Sequence, residues 1–143
     1  MLRIALAVAT ALLSTASFAS DIPSSPTVDY GRHVSIIGGC HDCHTVGYAQ
    51  SGQVDPEKAL KGNPVGFEGP WGTNFAKNLR LTVAKMSEDD WVNFAKTFQA
   101  GPPMPWFNVH ELNDLESRSL YQYIKSLPGD VGDQAPADIP PKK

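Results

Sequence analysis

The sequence predicts an all-α domain in which three to five short helices are joined by long loops. Three segments place apolar residues at helical spacing, within 30–37, 91–98 and 120–127, and no convincing alternation typical of a strand is present. Glycine and proline account for 12 residues each in a chain of 143, enough to interrupt the helices often. Residues 45–86 show only weak helical pattern, and a loop of that length needs something to wrap around.

Capping signals set the ends of the three predicted helices. A polar N-cap residue satisfies free backbone N–H groups, an acidic residue three positions later completes a capping box, and glycine or proline ends the helix. The signals are Ser25-Pro26 with a stop at Gly38-Gly39, Ser87 and Asp90 with a stop at Gly101, and Asn113 and Glu116 with a stop at Pro128.

The chain divides by composition into four regions. Residues 1–19 have a basic start, a short apolar stretch and small residues at the end, which predicts a cleaved signal peptide and export to the periplasm. An uncleaved anchor is the alternative. Residues 20–27 are expected to form a flexible lead, 28–127 the domain, and 128–143 a disordered tail rich in proline and aspartate. No other segment is apolar enough to cross a bilayer, so no membrane span is expected after cleavage.

Charge and cysteine content exclude several classes of protein. Charged residues make up 19% of the chain and the formal net charge is −3. These values disfavour both a chain disordered throughout and a nucleic-acid binder that relies on a basic surface. Two cysteines are too few for a disulfide scaffold, so their spacing is more informative than their number.

The two cysteines lie in Cys40-His41-Asp42-Cys43-His44, a C-x-x-C-H motif of the kind that attaches haem covalently. Thiols three positions apart reach the two vinyl groups of a porphyrin, and His44 then lies under the ring, where its imidazole can bind the iron. His41, between the cysteines, is expected to point outward. A thioredoxin-like redox pair should follow a strand, and a zinc site needs a second ligand pair; the sequence offers neither. We therefore expect one haem c, bound through Cys40 and Cys43.

Met104 is the expected sixth ligand of the iron. It lies within Gly101-Pro102-Pro103-Met104-Pro105, where the prolines predict a stiff extended segment that can hold a thioether against the metal. Met86 fits a core position just before the second helix. His110 and His33 are the alternatives to Met104. The first is expected to be solvated or hydrogen-bonded, and the second to cover the core or face solvent.

These features resemble a class I c-type cytochrome over residues 28–127. The chain is further similar to the cytochrome subunits of bacterial periplasmic alcohol and aldehyde dehydrogenases, with two departures. Those subunits usually carry several C-x-x-C-H motifs, and this chain reads Arg80-Leu81-Thr82 where Thr-Pro-Asp is common in them. The resemblance implies a class I cytochrome c fold, in which the first and last helices pack across each other with Gly31 or Gly38 allowing a close approach. The matching segments are 39–45, 70–73, 78–79, 87–91 and 104–106.

An apolar wall and a set of propionate donors are expected around the haem. A backbone carbonyl near Pro64 or Pro56 is expected to fix the imidazole of His44. The candidate propionate donors are Arg80, Asn74 and Asn78. The candidate wall residues are Phe67, Trp71, Phe75, Leu79, Trp91, Phe98 and Trp106.

The expected coordination determines the expected function. Histidine and methionine fill both axial positions of the iron, so outer-sphere transfer of single electrons is the activity that remains. The sequence thus predicts a monohaem electron carrier rather than an enzyme, monomeric unless held in a complex. Its redox partners would be proteins such as a periplasmic dehydrogenase or a terminal oxidase. A dedicated subunit of a periplasmic dehydrogenase complex is the first alternative, and a haem enzyme or gas sensor, which requires Met104 to be absent from the iron, is the second.

Overall fold

The computed structural model describes residues 22–142, and the predicted signal peptide at 1–19 lies outside them. Within the described residues the chain forms seven helices and one two-stranded antiparallel sheet. In chain order the elements are α1 (Val28–Ile37), α2 (Cys40–His44), α3 (Tyr48–Ser51), β1 (Phe67–Gly69), β2 (Gly72–Asn74), α4 (Leu79–Ala84), α5 (Glu88–Thr97), α6 (Trp106–His110) and α7 (Asp114–Ser126).

The predicted all-α fold is wrong in one respect, because the domain also contains a small sheet. The seven helices exceed the three to five that were predicted. β1 and β2 have three residues each and pair as a hairpin, with Glu68 opposite Thr73. Strands this short, bounded by glycine, carry no alternation that a sequence pattern can show. Four of the helices, α2, α3, α4 and α6, have only four to six residues, which is too few for a helical period to be recognised.

The first and last helices pack across each other at Gly31. A Cβ atom at this position would lie 1.9 Å from the backbone oxygen of Ser119 in α7, so the contact requires glycine. The backbone N–H of Thr27 donates to Ser119 Oγ at 3.1 Å beside the crossing. The crossing belongs to a buried core cluster that also includes residues of α4 and α5. Its members are Val34, Leu60, Val83, Trp91, Val92, Ala95, Leu120, Tyr123 and Ile124.

The helix ends follow the capping signals in part. The capping boxes predicted at Ser87 and Asn113 are both present. α1, however, is capped by Thr27 rather than Ser25, so Thr27 belongs to the domain and not to a flexible lead. α5 ends at Thr97, before the predicted stop, because the next residue already has an extended backbone.

Residues 128–142 are not the disordered tail that their composition predicted. They lie against the domain, and we call them the C-terminal strap. Near its start, the buried side chain of Arg80 donates to two strap carbonyl oxygens at 2.6 and 3.2 Å. Near its end, Ile139 pairs with Thr73 of β2 through two backbone hydrogen bonds of 2.8 Å. The prolines that suggested disorder also suit an extended segment held on a surface, because proline favours extended backbone and has no N–H to satisfy.

Candidate cofactor site

A cavity of about 470 Å³ opens between α1, α2, the hairpin and the loop that joins α5 to α6. Cofactor sites typically have volumes of roughly 300–1,000 Å³, so this cavity is large enough to hold one. Its lining is mostly apolar, and five of the predicted wall residues contribute to it. They are Phe67, Phe75, Leu79, Trp91 and Phe98.

α2 brings three residues of the C-x-x-C-H motif to this cavity. Cys40, Cys43 and His44 lie at i, i+3 and i+4, so they share one face of the short helix, and all three line the cavity. α2 begins after Gly39, whose left-handed φ of 68° lets the chain turn directly out of α1. Both cysteines are free thiols. Burial raises the pKa of Cys40 to about 11 and also raises the pKa of Cys43, the opposite of what activates a redox thiol.

His44 presents a neutral imidazole with one nitrogen already fixed. Its Nδ1 donates to the backbone oxygen of Lys77 at 2.7 Å, which leaves the lone pair on Nε2. Burial lowers the pKa of His44, so the ring is neutral at pH 7, the form that binds a metal ion. The carbonyl expected near Pro64 or Pro56 is therefore that of Lys77 instead. The loop before Pro64 meets the backbone of the histidine rather than its ring, since Gly62 N–H donates to the His44 carbonyl at 2.9 Å.

Met104 lies on the loop between α5 and α6 and lines the same cavity. The loop is a turn rather than the extended segment expected, because the N–H of Met104 donates to the Gly101 carbonyl at 3.2 Å. Asn74, a predicted propionate donor, also lines the cavity and ties this turn to the hairpin through a hydrogen bond from its Nδ2 to the Pro102 carbonyl. The thioether therefore comes from a turn that is tied to the hairpin on its N-terminal side.

The structure does not bring Trp71 to the cavity. This residue lies in the hairpin turn, where its ring is 36% exposed and packs over Gly69. Its Nε1 donates to the Phe67 carbonyl at 3.3 Å. The tight turn between β1 and β2 places the side chain at the end of the hairpin, away from the lining. Trp106, another predicted wall residue, does not line the cavity either and instead packs on His110.

Asn78 and Arg80 are not at the cavity either, contrary to the propionate prediction. Both are buried, at 1% and 4% exposure. Asn78 Oδ1 caps α4, and its Nδ2 donates to two strap carbonyls at 2.8 and 2.9 Å. Arg80 donates to the carbonyls of Pro56 and Ala59 as well as to the strap. These side chains hold backbone segments together, so their donors are already in use.

The alternative ligands lie elsewhere. His110 Nε2 is 2.8 Å from the Phe98 carbonyl, the hydrogen-bonded position expected of it. His33 is exposed on α1. Met86 packs against the core cluster. None of the three lines the cavity, whereas Met104 does.

His41 is fully buried rather than pointing outward. Ser35 Oγ donates to the Arg32 carbonyl, so it can only accept from His41 Nε2, at 3.1 Å. His41 Nδ1 then accepts from Thr45 Oγ1 at 2.8 Å. The hydroxyl of Tyr123 on α7 lies 3.3 Å from Nε2. Burial lowers the pKa of His41 to about 4, so the ring is neutral at pH 7 with its proton on Nε2. It connects α1, α2 and α7.

Sequence reasoning missed three contributors to this region, for different reasons. The face shared by residues 40, 43 and 44 implies that His41 faces the other way, toward α1, and this signal was available. Lys77 contributes a backbone carbonyl to His44, for which no residue type gives a signal. Asp138 lines the cavity from the strap, a segment whose composition suggested disorder.

Neither a membrane helix nor an acidic or cysteine-rich metal cluster is found between residues 22 and 142. No helix there is both long and apolar enough to span a bilayer. No three side chains of His, Cys, Asp or Glu in that range come together as a metal-binding group. Comparison of the chain with protein-family models, with curated proteins and with solved structures found no match in any of the three.

Proposed function

We propose that this chain is a periplasmic monohaem c-type cytochrome of the class I fold, which carries single electrons through a haem bound by His44 and Met104. One observation carries the proposal. Cys40, Cys43, His44 and Met104 all line one apolar cavity, although Met104 lies far along the chain from the motif. Two thiols, an imidazole and a thioether around an apolar cavity are the set of groups that a covalently attached, six-coordinate haem requires.

The residues divide the work of holding and tuning the cofactor. Cys40 and Cys43 would hold the porphyrin through thioether bonds. The Lys77 carbonyl fixes the His44 ring so that Nε2 carries the free lone pair. The turn tied to Asn74 holds Met104. When bound, the haem supplies an iron that alternates between the ferric and ferrous states. The apolar walls exclude water and, with the soft thioether, favour the less charged ferrous state.

The side chains that line the cavity favour electron transfer over chemistry on a substrate. His44 and Met104 would both bind the iron, and a haem held by two such side chains would have no place left for oxygen or a substrate. The raised pKa values of Cys40 and Cys43 also oppose a thiol-disulfide enzyme, because such enzymes need a thiolate. We therefore favour a carrier over a haem enzyme or a gas sensor.

Covalent haem content tests this proposal. The full chain is produced with its leader in bacteria that carry a haem c maturation system, and haem is extracted under denaturing conditions that remove any non-covalent cofactor. The protein should keep one haem, seen by mass and by absorption, and the double variant Cys40→Ala, Cys43→Ala should keep none and lose helicity. Asp42→Asn is the matched control, since this exposed residue lies inside the motif but does not line the cavity. Absence of haem from the unmodified chain, or its retention by the alanine variant, would overturn the proposal.

A further inference from the structure

The C-terminal strap is fastened to the domain at two places that flank the cavity-lining segment 74–77. At the first, the buried side chains of Asn78 and Arg80 donate hydrogen bonds to four backbone carbonyl oxygens of the strap, at 2.6 to 3.2 Å. At the second, Ile139 pairs with Thr73 of β2. A Cβ at Gly72 would lie 2.0 Å from the Ile139 carbonyl, so a glycine is needed for the strap to come this close. The strap thus runs beside the segment that supplies Asn74, Phe75 and Lys77 to the cavity lining.

One strap residue reaches the cavity. Asp138 lines it, and its Oδ1 accepts from Lys77 Nζ at 2.7 Å and from the Phe75 N–H at 2.9 Å. The hydrogen bond from Lys77 lowers the pKa of Asp138, with the Phe75 N–H adding to it, so the carboxylate is charged at neutral pH. Lys77 also lines the cavity, and its carbonyl is the group that fixes His44. A hydrogen-bonded pair of opposite charges, each side chain partly exposed, therefore lies at the edge of the candidate cofactor site.

We propose that the strap is a working part of the redox site, in which Asp138 and Lys77 set the reduction potential of the cofactor by their opposite charges. This inference rests on the proposed function. The oxidised cofactor carries one more positive charge than the reduced one, so a nearby carboxylate stabilises the oxidised form and a nearby ammonium destabilises it. Because the two groups are in contact, their opposite effects on the reduction potential largely cancel in the native chain. Removal of one charge leaves the effect of the other uncompensated.

Paired charge variants of the full-length holoprotein test the inference through the midpoint potential. Asp138→Asn should raise the potential, because the Lys77 ammonium is left without its counter-charge. Lys77→Gln should lower it, because the carboxylate is left alone, while the backbone carbonyl that fixes His44 is unchanged. The double variant should return close to the native value. Asp133→Asn is the matched control: it makes the same change of charge on the same strap, at an exposed residue that does not line the cavity.

Equal shifts in Asp138→Asn and Asp133→Asn would overturn the inference, since they would report net charge alone. So would shifts of the same sign in Asp138→Asn and Lys77→Gln. Hydrogen exchange gives a second readout that needs no measurement of potential: the Ile139 N–H, which donates to the Thr73 carbonyl, should be protected in the native chain. Free exchange there would also overturn it, because the strap would not be docked. Failure of haem attachment would instead reject the proposed function, so the two failures can be told apart.

Discussion

The buried imidazole of His41 has a pKa far below its ordinary value. It is 0% exposed, and each ring nitrogen is matched to a hydroxyl of Ser35 or Thr45. Burial, with the charge of Arg32 adding to it, lowers the pKa of His41 from 6.5 to about 4. The neutral ring fits the network, and a protonated ring would carry a charge into the core with a second N–H facing the Thr45 hydroxyl.

We expect this histidine to make the holoprotein less stable in acid. Above about pH 6.5 the ring is neutral in both the folded and unfolded chains, so its contribution to stability is fully present. As the pH falls from 6.5 toward 4, the unfolded chain takes up a proton that the folded chain refuses, and the free energy of unfolding drops by up to about 3 kcal/mol. Urea unfolding of the native chain and of His41→Gln between pH 4 and 7 measures this, and the variant should show the flatter pH dependence.

His33→Gln is the control for that experiment. His33 is exposed on α1, so this substitution removes an imidazole from the surface instead of the core. It should keep the native pH dependence. A His41→Gln chain with the same slope as the native chain and His33→Gln would show that His41 does not titrate as its burial implies.

At the scale of elements, the short helix α2 and the C-terminal strap complete the site, although neither shows a helix or strand period in the sequence. α2 has five residues and begins directly after the left-handed Gly39, so α1 fixes its direction. The strap is anchored by Arg80 and Asn78, whose buried donors have strap carbonyls as acceptors. Buried donors that lose their acceptors cost about 1–3 kcal/mol each, so the strap should contribute to global stability.

Truncation after Pro128 should therefore destabilise the protein. It removes both acceptors of Asn78 Nδ2, one acceptor of Arg80 and the pairing of Ile139 with Thr73. Water can replace part of these contacts, so we expect a loss of about 1–3 kcal/mol in the free energy of unfolding, measured by chemical denaturation of the holoprotein. A chain that ends at Pro140 keeps all of these contacts and serves as the control. If the chain ending at Pro128 unfolded like the full chain, the strap would be dispensable, as its composition first suggested.

For the whole molecule, the sequence predicted what depends on neighbouring residues and missed what depends on distant ones. The capping boxes at Ser87 and Asn113 were predictable because both partners lie within one turn. The shared face of residues 40, 43 and 44 was predictable for the same reason, but no helix was predicted there and His41 was wrongly expected to point outward. Asn78 and Arg80 were assigned to the cofactor because their side chains are suitable donors, and only the fold shows that backbone carbonyls already occupy them.

The cavity is also a property of the whole molecule. Its lining comes from α1, α2, both strands, α4 to α7, the loop that carries Met104 and the strap. Elements this short bury little apolar surface against one another. The apolar surface that they share faces this cavity. The proposed haem would therefore act as part of the core as well as the redox centre. Met104 is the decisive residue because it is the proposed ligand that only the folded chain brings to the site.

The absorption spectrum of Met104→Leu beside Met86→Leu, recorded oxidised and reduced with and without carbon monoxide, tests the proposed coordination most directly. Leucine matches methionine in bulk and costs less than about 1.5 kcal/mol at a core position, so Met86→Leu should keep the native spectrum. Met104→Leu should lose the far-red sulfur-to-iron charge-transfer band of the oxidised protein and bind carbon monoxide readily when reduced. A band that persists in Met104→Leu, or that disappears in Met86→Leu, would contradict the assignment of Met104 as the ligand of the iron.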